Sequence, residues 1–258
     1  MRRVRTSAFQ LQSNVIASLI LLLLVFLSGG HPSGAGEGLP GPPAGSEQGF
    51  RDPSAPEAPA PGLGTRPSSP PWAGSGLAGR LIVLDPGHGG TDPGAPGASG
   101  DTWEKYNTLF IALDAKALLE RAGARVVLTR TSDVYVSLAE RVRIANQAGA
   151  DAFVSVHNDW NANPAIRGVT TYYHNPNSRA LAEAMQGELV EHLGARNVGV
   201  IRRAFYVVRN ASMPAVLLEL GFLSHRTDEA LLADPAYRYR AAEAIYRGLS
   251  RYFDGLAG

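Results

Sequence analysis

Two histidines and a glutamate stand where a chain can present them to one another. His88 follows Leu81-Ile-Val-Leu-Asp85-Pro-Gly, His157 ends Ala152-Phe-Val-Ser-Val-His157, and Glu219 ends Ala215-Val-Leu-Leu-Glu219. Each apolar run reads as a short buried strand. Pro86 and the glycines around His88 stop the first strand abruptly and leave the ring without bulky neighbours, with Asp85 near enough to orient it. A lone histidine at a strand's end usually bonds nearby backbone. Two of them plus a carboxylate, each after an apolar run, point instead to a metal or acid–base site. The chain has no cysteine, so a zinc site must use imidazole and carboxylate.

Glu104 is a fourth candidate, in the first turn of the helix expected after the His88 loop. Asp101 and Glu104 have the spacing of a capping box, and a glutamate there also suits the positive end of the helix dipole. From residue types alone, cap and ligand are both open. Two imidazoles and one carboxylate would make an open tetrahedral zinc site, with the fourth position left for a water whose pKa falls to about 7. Glu219, ending an apolar strand, is expected to be desolvated, with a raised pKa suited to moving a proton from water to a leaving amine. The competing reading is a buried glutamate paired with an arginine. His174 and His192 read as surface residues, and for His225, after Gly221-Phe-Leu-Ser, lining the site's pocket is only the lesser reading. Arg130, Arg141 and Arg143 are read as solvated or paired with Asp133 and Glu140, or, for one near the cleft, as holding a substrate carboxylate.

The elements that must position these groups alternate. After the first strand and a Gly/Pro loop, a helix is predicted from Trp103 to Arg121, with Tyr106, Leu109, Phe110, Leu113 and Ala117 inward and Gly123 as its stop. A strand at Arg125–Thr129 precedes a helix opened by a Ser137/Glu140 capping box and closed by Gly149. After the His157 strand come a strand at Gly168–Tyr173 and a helix capped by Asn177 or Ser178 that ends at Gly194. Strands at Phe205–Val208 and Ala215–Glu219 follow, then helices at Asp228–Ala233 and Ala236–Phe253, the last with Tyr237, Ala241, Ile245, Leu249 and Tyr252 inward. This order predicts a single α/β domain whose mostly parallel sheet of about six strands has helices on both faces and ligands outside the strands' carboxyl ends.

The N-terminal part has a different composition. Residues 1–30 carry Arg2, Arg3 and Arg5, the apolar run Val15–Leu27, then Ser28, Gly29 and Gly30, which is the layout of an export signal. Thirteen helical residues rise about 20 Å, short of the roughly 30 Å hydrocarbon core, which favours a signal peptide over an N-terminal membrane anchor. Residues 31–78 are rich in Pro, Gly, Ser and Ala and cannot form a core. They read as a disordered tether at up to about 3 Å per residue. Acidic and basic residues balance from Ala78 onward, which argues against nucleic acid as a partner. An extracytoplasmic protein is expected, secreted, periplasmic or in the cell wall.

The same residues carry a family resemblance. Leu84-Asp-Pro-Gly-His-Gly-Gly90, Trp103-Glu-Lys105, Ser155-Val-His157 and Met213-Pro-Ala-Val-Leu-Leu-Glu-Leu-Gly-Phe222 resemble the zinc-dependent type 3 N-acetylmuramoyl-L-alanine amidases. The likeness runs from about Gly79 to Phe253 within an expected catalytic domain at 79–258. It implies zinc held by His88, Glu104 and His157, with Glu219 as catalytic acid/base. The implied reaction cuts the peptidoglycan amide between N-acetylmuramic acid and the L-alanine of the stem peptide. Where many relatives have Arg-Gly-Val-Lys, this chain has Val198-Gly-Val-Ile201 followed by Arg202 and Arg203, so substrate contacts there are open. Some relatives carry a long blocking helix between the second histidine and the glutamate, and Asn158–Leu218 holds only ordinary elements. An unblocked cleft that needs no activator protein is therefore expected; a monomer is expected as well. Two alternatives are a zinc peptidase acting within the stem peptide and a non-catalytic peptidoglycan-binding module.

Overall fold

The computed structural model describes residues 76–257. The expected leader, 1–30, and nearly all of the tether, 31–78, lie outside the described residues. The six strands are β1 (Leu81–Pro86), β2 (Arg125–Leu128), β3 (Ala152–Asp159), β4 (Val169–Tyr173), β5 (Asn197–Arg202) and β6 (Ala215–Phe222). They form one sheet in the order β2-β1-β3-β6-β4-β5. The first four in that order run parallel, while β4 pairs antiparallel to β6 and β5 follows β4. The helices are α1 (Glu104–Arg121), α2 (Leu138–Ala148), α3 (Arg179–Leu193), the single turn α4 (Tyr206–Asn210), α5 (Arg226–Ala233) and α6 (Pro235–Ala257).

Helices cover both faces, which is why the inner strands are apolar almost throughout. On one face Ile82, Leu84, Val154, Val156, Val216 and Leu218 pack with the inward residues of α1, α3 and α6. On the other, Val83, Phe153 and Leu217 pack with Val142 and Ala145 of α2 and Val207 and Val208 of α4. Each fully buried Leu or Phe here contributes about 1.5–3 kcal/mol relative to exposure. Side chains alternate along a strand, so Val83, Phe153 and Leu217 fix the facing of their neighbours two residues on. Asp85, Ser155, His157 and Glu219 are thereby committed to the α2/α4 face near the carboxyl ends of adjacent strands.

Local signals explain most boundaries. Ser137 Oγ accepts from the Glu140 N–H, and Gly149 closes α2 in the left-handed region. Gly194 closes α3 in the same way. In α6, Tyr237, Ala241, Ile245, Leu249 and Tyr252 are buried as their spacing predicts. Among the described residues, no helix is long and apolar enough to cross a membrane.

Three expectations are overturned. In α1, Tyr106, Phe110 and Leu113 face solvent, and the buried face is built from Glu104, Asn107, Thr108, Leu109, Ile111, Ala112, Ala115 and Leu119. Polar residues on the inner face blur the amphipathic pattern. The fifth strand is Asn197–Arg202 rather than Phe205–Val208, and Tyr206–Asn210 is a helical turn that buries Val207 and Val208 while Tyr206 and Arg209 stay out. Ser178 stands at the N-cap of α3 as expected, but the side-chain cap is absent, because its Oγ accepts from the Ala215 N–H at the start of β6.

Candidate metal and acid–base site

His88, Glu104 and His157 converge, and one donor atom from each lies within 4.8 Å of the other two. His157 is in β3, directly beside Glu219 in β6. His88 lies two residues beyond β1, with φ +60°, a region open to histidine at a cost of about 1–3 kcal/mol. Glu104 opens α1, whose N-cap is Trp103 with no side-chain cap bond. The capping-box reading of Glu104 therefore fails, and its carboxylate points into the site.

That carboxylate sits between the two rings. Oε2 is 3.0 Å from His88 Nε2 and accepts from the Ala95 N–H at 2.9 Å. Oε1 is 2.8 Å from His157 Nδ1 and accepts from the Asn158 N–H at 3.0 Å. The rings meet edge to face with centroids 5.0 Å apart. Glycines keep the space open. A Cβ on Gly87 would collide with the His157 ring, and one on Gly94 would come within 2.6 Å of Glu104 Oε2 and 2.8 Å of His88 Cδ2.

The electrostatics favour a cation. Burial disfavours a charged His88 ring, but the Glu104 charge and hydrogen bonds with Asp92 and Glu104 outweigh it and lift its pKa to about 10. Glu104 is pushed up by burial and pulled further down by both histidines, so it stays ionised. The buried His88 ring, the half-buried His157 ring, an ionised carboxylate and no thiolate form a donor set that fits zinc. Glu219 is different. Burial, then the charges of Asp159 and Glu104, raise its pKa well above the ordinary carboxylate value. Its Oε2 is buried without a hydrogen-bond partner.

Residues 82–251 match the type 3 amidase family, described as N-acetylmuramoyl-L-alanine amidase. The chain belongs to this family. The probable cell wall amidase LytH of Staphylococcus saprophyticus is 42% identical over 178 residues, which cover 69% of this chain and 60% of that protein's length. Among solved structures, the catalytic domain of CwlV from Bacillus (Paenibacillus) polymyxa var. colistinus is similar with a TM-score of 0.67 and 37% identity, covering 68% of this chain and 98% of that one. The amidase AmiC2 of Nostoc punctiforme gives 0.66 and 40%, covering 69% and 99%. The family is typically zinc-dependent.

In this family member, the groups supporting the site differ in part from those the residue types suggested. The partner of His88 Nδ1 is Asp92, at 2.9 Å, four residues on in the same loop; its place in His88-Gly-Gly-Thr-Asp92 was the available signal. Asp85 instead pairs with Arg141 at 2.7 Å and accepts from Thr129 and Ser155. Asp159 was also missed. It lies at the end of β3, and burial raises its pKa to about 7. Arg130 and Arg141 are buried and turned inward, so neither is available to a substrate, while Arg143 pairs with Glu140. Arg202 stands opposite Tyr173, which in turn stands opposite Val216, three residues from Glu219. His225 accepts from the Asp228 N–H at the start of α5 and lines an open groove with Ala98, Pro164 and Ser224. His174 and His192 are half-buried and outside the cluster.

Burial raises the Asp85 pKa, but the Arg141 charge and hydrogen bonds from Thr129, Ser155 and Arg141 more than reverse this, leaving it below its ordinary value. A folded pKa below the unfolded one stabilises fully at neutral pH, and the gain is lost as pH falls below about 4. Asp85→Asn leaves Arg141 buried without its counter-charge and is expected to cost about 3–5 kcal/mol at pH 7. The gap to the parent protein should narrow by pH 3. Denaturant unfolding at both pH values checks this, and a gap that does not change with pH would contradict it.

Proposed function

We propose that the chain is an exported zinc hydrolase that cuts the amide between the lactyl group of N-acetylmuramic acid and the L-alanine of the stem peptide in peptidoglycan. The observation that carries this reading is the convergence of His88, Glu104 and His157 donors within 4.8 Å, with Glu219 beside His157 in the sheet. Family membership supports the same bond as target. We assign the metal to His88, Glu104 and His157, and the proton transfers to Glu219.

Zinc held there would polarise the scissile carbonyl, acidify the attacking water and share the charge of the tetrahedral oxyanion. The protein's own groups do the rest. Asp92 bonds His88 Nδ1 and so turns Nε2 toward Glu104. The backbone N–H groups of Ala95 and Asn158 hold both Glu104 oxygens in place. Glu219 takes the proton from the attacking water and delivers it to the departing alanine nitrogen. Its raised proton affinity suits the second half of that cycle.

We further propose that residues 1–30 direct export or anchor the chain, that 31–78 tether the domain 79–258, and that the domain acts as a monomer in or near the cell wall without an activator. The test is digestion of purified peptidoglycan by the full chain alone, followed by mass spectrometry of the fragments. Stem peptides with a free L-alanine amine and intact muramic acid are expected. A new amine within the stem would indicate a peptidase, binding without release would indicate a wall-binding module, and strict dependence on an added protein would contradict independence from an activator.

A further inference from the structure

Three consecutive carbonyls lead from β1 into His88, and two buried guanidinium groups bind all three. Pro86 O accepts from Arg130 Nε at 2.9 Å and Arg141 Nη1 at 2.7 Å, Gly87 O accepts from Arg130 Nη2 at 2.7 Å, and His88 O accepts from Arg141 Nη2 at 2.7 Å. Neither arginine is more than 3% exposed. We propose that Arg130 and Arg141 are positioning residues for the metal site: together they clamp the Pro86–His88 backbone and set the placement of His88 relative to Glu104. The proposal rests on the reading of His88, Glu104 and His157 as zinc ligands.

The two have distinct tasks. Arg141 binds the carbonyls on either side of Gly87 and so holds His88 at its positive φ. Asp85, in β1, matches the Arg141 charge at 2.7 Å and is itself fixed by Thr129 and Ser155. The sheet thus dictates where this guanidinium lies. Arg130 joins two ligand-bearing segments. Its Nη2 donates to Gly87 O, next to His88, and at 2.8 Å to Lys105 O, next to Glu104. Thr108 Oγ1 lies between the same two carbonyls, at 2.9 and 3.2 Å, and accepts from Arg130 Nη2 while its one O–H donates to the nearer, Gly87 O. A planar fork with five N–H groups can serve several carbonyls in fixed directions, whereas a lysine ammonium keeps the charge and loses the fork.

The same contacts would also stabilise the fold, so the experiment separates placement from stability. Arg130→Lys and Arg141→Lys are compared with Val83→Ala, a β1 core truncation on the same sheet face that leaves the clamp intact. For each, zinc affinity is read by chelator competition, the ligand field by the visible spectrum of the cobalt-substituted protein, and stability by the Tm of the metal-free chain. Each lysine variant is expected to bind zinc about 10–100-fold more weakly, the range for partners that orient metal ligands. Cobalt bands should shift, while Val83→Ala lowers the Tm and leaves affinity and spectrum unchanged. Lysine variants that match Val83→Ala in affinity and spectrum would overturn the proposal. Should Arg141→Lys not fold, Arg130→Lys decides alone. A parent protein that binds no zinc would overturn the ligand assignment as well, whereas a parent that binds zinc with unaffected lysine variants would overturn only the clamp.

Discussion

Glu219→Gln is expected to lower kcat by about 10²–10⁴-fold, the usual contribution of a positioned general acid–base, while zinc stoichiometry stays at the parent value. This corresponds to about 3–5 kcal/mol of transition-state stabilisation. The amide keeps the shape and burial of the carboxyl but can neither take nor return the proton. Glu219 Oε2 has no protein partner, so the substitution breaks no hydrogen bond at that atom and folding should be little affected. Burial and the charges of Asp159 and Glu104 favour the protonated form, which is what delivery of a proton to a leaving amine requires. Single-turnover kinetics with metal analysis of the same sample test this. A variant retaining more than about a tenth of the parent rate would show that another group moves the proton; Asp159, whose pKa burial raises to about 7, is the other acid whose charge acts on Glu219 there.

Glu104→Gln is expected to weaken zinc binding by more than about 100-fold, beyond the range for outer partners of a metal site. Turnover should fall with zinc occupancy. The side chain has almost no exposure and bonds two backbone N–H groups as well as both rings. Glutamine keeps one carbonyl oxygen and replaces the other with an N–H₂ facing Ala95 or Asn158. Loss of negative charge also removes the largest influence lifting the His88 pKa. Chelator competition measures the affinity, and unchanged zinc binding would remove Glu104 from the ligand set.

The six-stranded α/β fold was legible because buried strands and capped helices leave strong local marks, such as Ser137 with Glu140 or the Leu81–Leu84 run. The convergence of His88, His157 and Glu219 at one edge of the sheet followed from the rule that ligands gather at strand carboxyl ends. Glu104 was not decidable from residue types, since an acidic residue in a first turn serves a helix equally well without a ligand role. The inner face of α1 was misread for a related reason. Asn107 and Thr108 are buried there, and Thr108 bonds the Gly87 carbonyl, so polar residues near the site erased the apolar periodicity. Phe205–Val208 has strand-like composition, but composition does not register that two adjacent valines can both be buried by one helical turn. The carbonyl contacts of Arg130 and Arg141 were hidden because backbone partners leave no side-chain pattern, and the Arg141–Asp85 pair joins residues far apart in the chain.

The reversal of β4 relative to β6 places both ends of the 160–168 connection on the rim that holds His157 and Glu219. A sheet running wholly in one direction would instead send that connection across to the opposite rim. Here the segment is free to lengthen, shorten or change composition without rethreading any strand. A change of length or composition there would be felt on the rim beside His157 and Glu219 while the order of the strands stays as it is.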